Sequence, residues 1–373
     1  MARKTQKEEG EEAVFEYFKK ELDAVEEEKV EKFISTGSTL LDYKIANKPN
    51  GGVPVGRITE LIGGEGSGKS LLSYHIMANT QKAGGIAVYI DTERSFNQEF
   101  MQRMGVDTTP GRFIRPIKTP GSIEEVFEYI EKVVMHTRLK FPKKDKLVTI
   151  VWDSVAATPG REELEVAHTG TPRMGTEARA MSRSLRKVID CLDSGYVTLV
   201  CINQLREKIG ISFGDSDTTP HGRALAFYAS VRVKLKSLKQ IRDMKAERTV
   251  GINTSAKVFK NRVGPNYRVA DFPIMYDWGV ADEASWLEYM KDLEVVKVAG
   301  AWSTMDVDGT SHTFQGTSGW ADLLKNDNIK KFVLDTIQKH EIIKLERRPE
   351  SIEVDEESFM EMEQLKSDLE SKQ

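Results

Sequence analysis

Four predominantly apolar runs, residues 58–62, 86–90, 147–152 and 197–202, recur along the first half of the chain, each rich in β-branched side chains. Runs this short, with little polar alternation, are what strands buried on both faces require. Between them the period becomes helical. Leu71, Leu72, Tyr74, His75, Met77 and Ala78 follow the first run, and residues 97–104 follow the second and stop at Gly105. Residues 123–138 precede the third run, and residues from about 177 to 192 precede the fourth. Strands alternating with helices predict an α/β fold with a mostly parallel, doubly wound sheet. Ligands of such sheets gather at the carboxyl ends of the strands. Here those ends carry residues 63–70, Glu93, Asp153 and Gln204.

Past Gly222 the pattern changes. Residues 224–235, 254–260 and 267–275 read as further strands, and from about residue 280 a small mixed unit runs to near residue 343. Upstream, residues 11–32 have helical period, with Val14, Phe15, Phe18, Leu22 and Val25 on one stripe amid Glu and Lys. Such a helix packs either on its own domain or on a neighbouring subunit, and the pattern does not choose between them. From Glu350 onward the chain holds nine acids and two lysines, the composition of a disordered or loosely helical tail. That tail reads either as a solubilising segment or as a mobile anion competing for a basic site. The expected organisation is residues 1–33, 34–280, 281–345 and 346–373.

Composition narrows the class. The 373 residues suggest two or three units, and 39% hydrophobic with 30% charged residues is the balance of a soluble globular chain with a real core. No apolar run approaches the ~20 residues of a membrane span, and residues 1–12 have no apolar stretch of the secretory kind. Cys191 and Cys201 sit in apolar surroundings, which suits reduced thiols and a cytoplasmic setting. The six histidines show no metal-ligand spacing, and a net charge of −4 leaves nucleic-acid binding to local basic clusters.

Candidate chemistry begins at residues 61–70, LIGGEGSGKS. Gly63, Gly64, Glu65, Gly66, Ser67, Gly68, Lys69 and Ser70 fill the pattern G-x-x-x-x-G-K-[ST], between a strand and a helix. Glycines let successive N–H groups turn inward on a phosphate, and the following helix adds its positive end. Lys69 can reach β- and γ-phosphates, and Ser70 offers a hydroxyl to Mg²⁺. Asp153, ending the third strand, can hold that metal through water. Glu93, past the second strand, reads either as a general base for an attacking water or as a solvated strand-end acid. Gln204 can sense a γ-phosphate and pass the signal to the next loop.

That loop is long and rich in Gly, Thr, Ser and Asp, with Arg206, Lys208 and Arg223. It suits a phosphate backbone read without base preference, or else is a plain surface loop. A second basic segment, residues 166–187, carries Arg173, Arg179, Arg183, Arg186 and Lys187, and alone could be a solvated helix.

Taken together these segments resemble the bacterial RecA recombinase family, including its phage-encoded members. ISTGSTLLD and GGVPVGRITELIGGEGSGKS resemble the approach to the family's phosphate loop. AVYIDTERSF resembles the strand with the catalytic glutamate, and VWDSVAATP resembles the metal-binding strand. RMGTEARAMSRSLRK resembles the first DNA loop and its helix, and INQLREKIGISFGDSDTTPHGRALAFYASVR resembles the glutamine switch and second DNA loop. AKVFKNRVG, FPIMYDWGV and AGAW extend the likeness, which covers roughly residues 33–345.

The resemblance implies a RecA-type P-loop ATPase core, an N-terminal helical polymerisation segment, a small α+β C-terminal domain and an acidic tail. It implies a DNA-dependent ATPase that forms helical filaments on single-stranded DNA and catalyses homologous pairing and strand exchange. ATP and Mg²⁺ would be its cofactors. Its partners would be single-stranded DNA, homologous duplex, further copies of itself, and single-strand-binding and loader proteins, with no membrane. The setting would be the cytoplasm of a bacterial cell or a phage-infected host. Glu93 would be the base, and Gln204 would couple the γ-phosphate to the second loop. Phe100 and Tyr276 would touch adenine, and Lys260 and Arg262 would reach ATP on the next subunit. Met174, Gly175, Arg179, Ser182 and Arg186 would contact DNA from the first loop and its helix. Arg206, Lys208, Ile209, Phe213, His221, Gly222 and Arg223 would do so from the second. The chain departs from the family at Gly64 and Gly66, where Pro and Ser are usual, at Phe100 for Tyr, and at Pro220-His221-Gly222 for a glycine pair. A closed-ring helicase or clock-type ATPase would share the core strands but not the full Gln204-to-Arg223 segment. A non-catalytic regulator would not need an intact Glu93.

Overall fold

The computed structural model describes residues 30–142, 146–165, 175–207, 217–218, 223–243 and 246–344. Most of the amphipathic 11–32 pattern, Arg173, Met174, Lys208, Ile209, Phe213, His221, Gly222 and the acidic tail lie outside these residues. The chain divides into two units, Met1–Glu341 and Ile342–Gln373. Of the second, residues 342–344 are described, with Ile343 exposed. All that follows concerns the first.

The elements begin with β1 (Phe33–Ile34), α1 (Thr39–Ala46), β2 (Val53–Pro54), β3 (Ile58–Gly63), α2 (Lys69–Lys82), β4 (Ile86–Asp91), α3 (Gln98–Arg103) and β5 (Phe113–Ile114). Next come α4 (Ile123–Lys140), β6 (Val148–Asp153), a 3₁₀ turn (Val155–Ala157), α5 (Arg161–Glu165), α6 (Thr176–Gly195), β7 (Val197–Gln204), β8 (Arg206–Glu207) and β9 (Asp217–Thr218). Then follow α7 (Ala224–Tyr228), β10 (Val231–Asp243), β11 (Arg248–Asn261), β12 (Arg268–Met275) and β13 (Gly279–Val280). A small mixed layer ends the unit: α8 (Asp282–Asp292), β14 (Val296–Ala299), β15 (Trp302–Val307), β16 (Thr310–Phe314), α9 (Gly316–Leu323) and α10 (Asp327–Glu341).

The main sheet has the order β13-β12-β11-β10-β3-β7-β6-β4-β5. From β10 to β5 its strands are parallel, and from β10 to β13 they are antiparallel. The four apolar runs are β3, β4, β6 and β7, the central parallel strands, as their composition requires. Ile150 and Trp152 pack among Ile123, Phe127 and Val134 of α4 and Met181, Leu185, Val188 and Leu192 of α6. The Phe127 ring meets Trp152 edge-on at 5.6 Å. Thr149, just before Ile150, points to the opposite face, where its hydroxyl bonds Thr80 of α2 at 2.6 Å. Helices therefore cover both faces, and burying each large core side chain stabilises the unit by roughly 1.5–3 kcal/mol. Ser122 starts α4 where the pattern predicts: its hydroxyl accepts from Glu125 N (3.3 Å), and the Glu125 carboxylate accepts from Gly121 N (2.8 Å).

One expectation is corrected. Residues 224–228 are not strand but the short helix α7, and β10 starts at Val231. Ala224, Leu225 and Ala226 are strong helix formers, and Leu225 is buried as the helix folds back on the core. β10 and β11 also outrun the sheet. β10 pairs with β3 over Val231–Leu235, and β11 pairs with β12 over Gly251–Val258. Arg242–Asp243 and Arg248–Thr249 thus form a two-stranded ribbon beyond the sheet.

Two buried carboxylates cross-link elements, one between layers and one within the main sheet. Glu341, at the end of α10, bonds Lys44 of α1 (2.7 Å) and Arg268 of β12 (2.6 Å). Glu60, wholly buried in β3, accepts from Arg232 Nε of β10 (2.6 Å) and Asn203 Nδ2 of β7 (2.9 Å). Glu60→Leu leaves the Arg232 guanidinium without its partner and is expected to destabilise the unit by about 3–5 kcal/mol, read as a lower denaturant midpoint at unchanged slope.

Candidate active site

The phosphate loop leaves β3 at Gly63, where close approach requires glycine, and left-handed backbone requires it at Gly68. A Cβ on Gly63 would lie 2.4 Å from the Leu235 carbonyl oxygen. One on Gly68, whose φ is +96°, would lie 2.4 Å from Ile274 Cδ1. Gly68 precedes α2 with no side-chain cap, so the first N–H groups of the helix face the loop. Lys69 Nζ donates to the carbonyls of Gly63 (3.0 Å) and Gly64 (2.6 Å). Burial lowers its pKa, while the carboxylates of Asp153, Glu93 and Glu65 oppose that shift. The ammonium therefore stands inside the loop, held by groups that a phosphate can replace.

β4 and β6 run side by side, with Asp91 opposite Asp153. Asp91 accepts from the backbone of Ser95 and Phe96, both at 3.0 Å, and so shapes the turn after β4. Asp153 is buried and accepts from Tyr89 (2.9 Å). Burial pushes its pKa up to about 6, against the lowering effect of hydrogen bonds from Ser70 and Tyr89. A serine hydroxyl bonded to a buried carboxylate beside a phosphate loop is a hard-oxygen pair that suits Mg²⁺, which keeps several of its waters.

Glu93 is exposed just past β4, and the ends of two other strands supply it with donors. Ser154 Oγ, after β6, and Gln204 Nε2, ending β7 (3.2 Å), both donate to its Oε1. Ser154 is a site residue that sequence reasoning missed; its one signal is its place directly after Asp153. Asn203, which Glu60 holds from below, accepts from Gln204 N at 3.0 Å.

Phe100 lies on α3, edge-on to Tyr74 of α2 at 6.0 Å. Tyr276 is 43% exposed after β12. The turn carrying it packs on α3, since a Cβ on Gly279 would lie 3.1 Å from Met104 Sδ. His75 of α2 accepts from Val280 N (3.0 Å), and burial lowers its pKa to about 4, which keeps the ring neutral. Phe100 thus touches the phosphate-loop helix directly, and Tyr276 lies three residues before Gly279, which packs on His75 of that helix.

Lys260 and Arg262 are not brought to this loop. Lys260 pairs with Arg232, which pairs with Glu60, three residues before Gly63; Arg262 lies still farther toward the amino end of β3. At ~3.3 Å per residue the two cations stand roughly 10 Å or more down the sheet from the chain's own phosphate loop. Lys260 Nζ donates to the carbonyls of Ala226 and Phe227, both at 2.7 Å, and Arg262 donates to Phe227 at 3.0 Å.

On α6 the sequence splits into two faces. Met181, Leu185, Val188 and Leu192 are buried, while Arg179, Arg183, Arg186 and Lys187 are exposed and Ser182 is half-buried. Gly175, exposed at a φ of +80°, leads into the helix. In the segment after Gln204, β8 and β9 pair antiparallel, with Arg206 opposite Thr218. Arg223 is exposed before α7.

The geometry is therefore a phosphate loop, three strand-end carboxylates and two basic segments on one scaffold. A family model for the RecA N-terminal domain matches residues 3–281. Relatives include Protein RecA of Clavibacter michiganensis subsp. michiganensis, 38% identical over 275 residues, which are 74% of this chain and 71% of the relative. Protein RecA of Chloroherpeton thalassium is 38% identical over 294 residues, 79% of this chain and 76% of that one. Protein RecA of Chlorobaculum parvum is 36% identical over 311 residues, 82% and 84%. A match this long, on a chain with this sheet and this loop, makes it a member of the RecA family.

Proposed function

We propose that this chain carries out the family's DNA-dependent ATP hydrolysis and homologous strand exchange with an active site completed between two copies of itself. ATP with Mg²⁺ binds at residues 63–70, with Ser70 and Asp153 on the metal side and Phe100 and Tyr276 on the adenine side. Glu93 is the general base, and Gln204 links the γ-phosphate to the second DNA loop. Lys260 and Arg262 reach the nucleotide of the next subunit. The observation that carries this reading is the separation of those cations from the chain's own phosphate loop along β3, β10 and β11. A site whose cations stand apart from the chain's own loop is completed by a neighbour, which joins copies head to tail, and a head-to-tail contact that does not close gives a helical filament. Arg179, Arg186, Ser182, Gly175, Arg206 and Arg223 contact the DNA, and so do Met174, Lys208, Ile209, Phe213, His221 and Gly222, which lie outside the described residues. Single-stranded DNA and homologous duplex are its substrates, and single-strand-binding and loader proteins its helpers, in the cytoplasm of a bacterium or a phage-infected host. Among the described residues no helix is long and apolar enough to cross a membrane.

Electron microscopy with single-stranded DNA and a slowly hydrolysed ATP analogue tests the assembly. Helical filaments support it, and closed rings favour the helicase alternative. Mixing tests the shared site. Lys69→Ala protein and Lys260→Ala/Arg262→Ala protein are each expected to lose ~10³-fold or more in DNA-stimulated turnover. Their mixture regains part of it, because some interfaces combine an intact loop with intact cations. A mixture as silent as its components rejects the shared site.

Lys260 also sets a pH dependence. Burial, then Arg262 and Arg232 nearby, lower its pKa to about 8, with Glu60 opposing. The side chain is charged below that pH and neutral above it. ATP-dependent assembly should therefore weaken as pH rises through 8, and Lys260→Arg should flatten that limb. Light scattering of assembly across this range checks it.

A further inference from the structure

We propose that Ser154 is a positioning residue for ATP hydrolysis, fixing Glu93 through one carboxylate oxygen so that the other is left to take the proton of the attacking water. The inference rests on the reading of Glu93 as the general base. Ser154 is wholly buried at the end of β6, whereas Glu93 is an exposed, flexible side chain just past β4. The serine hydroxyl donates to Glu93 Oε1, and Gln204 Nε2 donates to that same oxygen at 3.2 Å. No other described residue bonds the carboxylate, so Oε2 keeps its lone pairs for water. That water's oxygen bonds the γ-phosphorus as the bond to the β–γ bridging oxygen breaks and ADP leaves; its proton passes to Oε2.

The two donors are not held alike. The Ser154 carbonyl accepts from Thr92 Oγ1 (2.8 Å) and from Thr158 Oγ1 (3.0 Å). The Thr158 hydroxyl accepts in turn from the buried indole of Trp152 (3.0 Å). Ser154 is thereby pinned by the neighbouring strand end and by the turn that follows it, within the core where Trp152 meets Phe127. Gln204 is only half-buried, and one residue separates it from β8 at the base of the second DNA loop. Ser154 is thus the constant support of the base, and Gln204 the one whose position follows the loop. A base held by only the movable donor points its free oxygen at the water less often, although nucleotide binds as before.

The test compares Ser154→Ala, Ser154→Thr and Glu93→Gln in ATP hydrolysis with and without single-stranded DNA, with affinity for a fluorescent ADP as second readout. Ser154→Ala is expected to lower kcat ~10- to 100-fold while KM for ATP and ADP affinity stay within about threefold. The factor by which DNA stimulates turnover survives, because Gln204 is intact, and Ser154→Thr recovers much of kcat. An unchanged kcat overturns the proposal. So does a kcat that falls together with ADP affinity, or a threonine variant no faster than the alanine one, since either makes the serine merely structural. Glu93→Gln separates the two layers. Wild-type turnover in that variant removes the base and the proposal with it. A silent Glu93→Gln beside a fully active Ser154→Ala removes the proposal alone.

Discussion

Lys69→Ala is expected to abolish ATP-dependent assembly on single-stranded DNA. Lys69 Nζ sits inside the loop on the carbonyls of Gly63 and Gly64, at 3.0 and 2.6 Å. Those contacts orient the charge while leaving it free to exchange carbonyls for phosphate oxygens. Charge-assisted bonds to phosphate are roughly twice as strong as neutral ones, and each contributes about 1.5–3 kcal/mol net. Losing two of them costs ~10²-fold or more in nucleotide affinity. In the proposed assembly the nucleotide bridges subunits, so the loss is doubled at the interface: fewer loops are filled, and fewer neighbours find a phosphate for Lys260 and Arg262. Fluorescent-nucleotide titration and electron microscopy read the two effects separately. Filaments that still depend on ATP in this variant would remove the loop from its assigned role.

Glu93→Gln has a comparably large effect on turnover and the opposite effect on assembly. The amide keeps the size of the side chain and can still accept from Ser154 and Gln204, so ATP binding changes little. It cannot take a proton from water, and general-base assistance contributes ~10²- to 10⁴-fold. Phosphate release should fall by that factor while filaments persist longer than those of the wild type. Rapid dissociation of the variant from DNA in the presence of ATP would show that turnover is not what loosens the assembly.

Much of this was legible in the residues because local physics dictates it. A loop that wraps a phosphate needs glycine at set spacings, and Gly63 and Gly68 are hemmed in by Leu235 and Ile274. Doubly buried strands need unbroken apolar runs, and β3, β4, β6 and β7 have them. The basic face of α6 could be read from helical period alone. What escaped reading depends on contacts between distant segments. Glu60, Asn203 and Arg232 come from three strands, and the Ser154–Glu93 bond joins two strand ends 61 residues apart. The β5 strand is two residues long, too short for any period. Residues 224–228 misled because an apolar run of five suits a strand or a helix equally. The separation of Lys260 and Arg262 from the phosphate loop emerged only from strand register, which no single segment encodes.

The ribbon at the end of β10 and β11 has a consequence for how such chains diversify. Arg242 and Asp243 pair with Thr249 and Arg248 and, among the described residues, with no further strand, and a lone hairpin of this kind is marginal in water. Its foot is tied to the proposed adenine side, where the Val250 carbonyl accepts from Tyr276 N at 2.9 Å. A lineage that rewrites the pairs beyond Val250 leaves that contact in place, whereas one that alters the strand at Val250 retunes the engine as well.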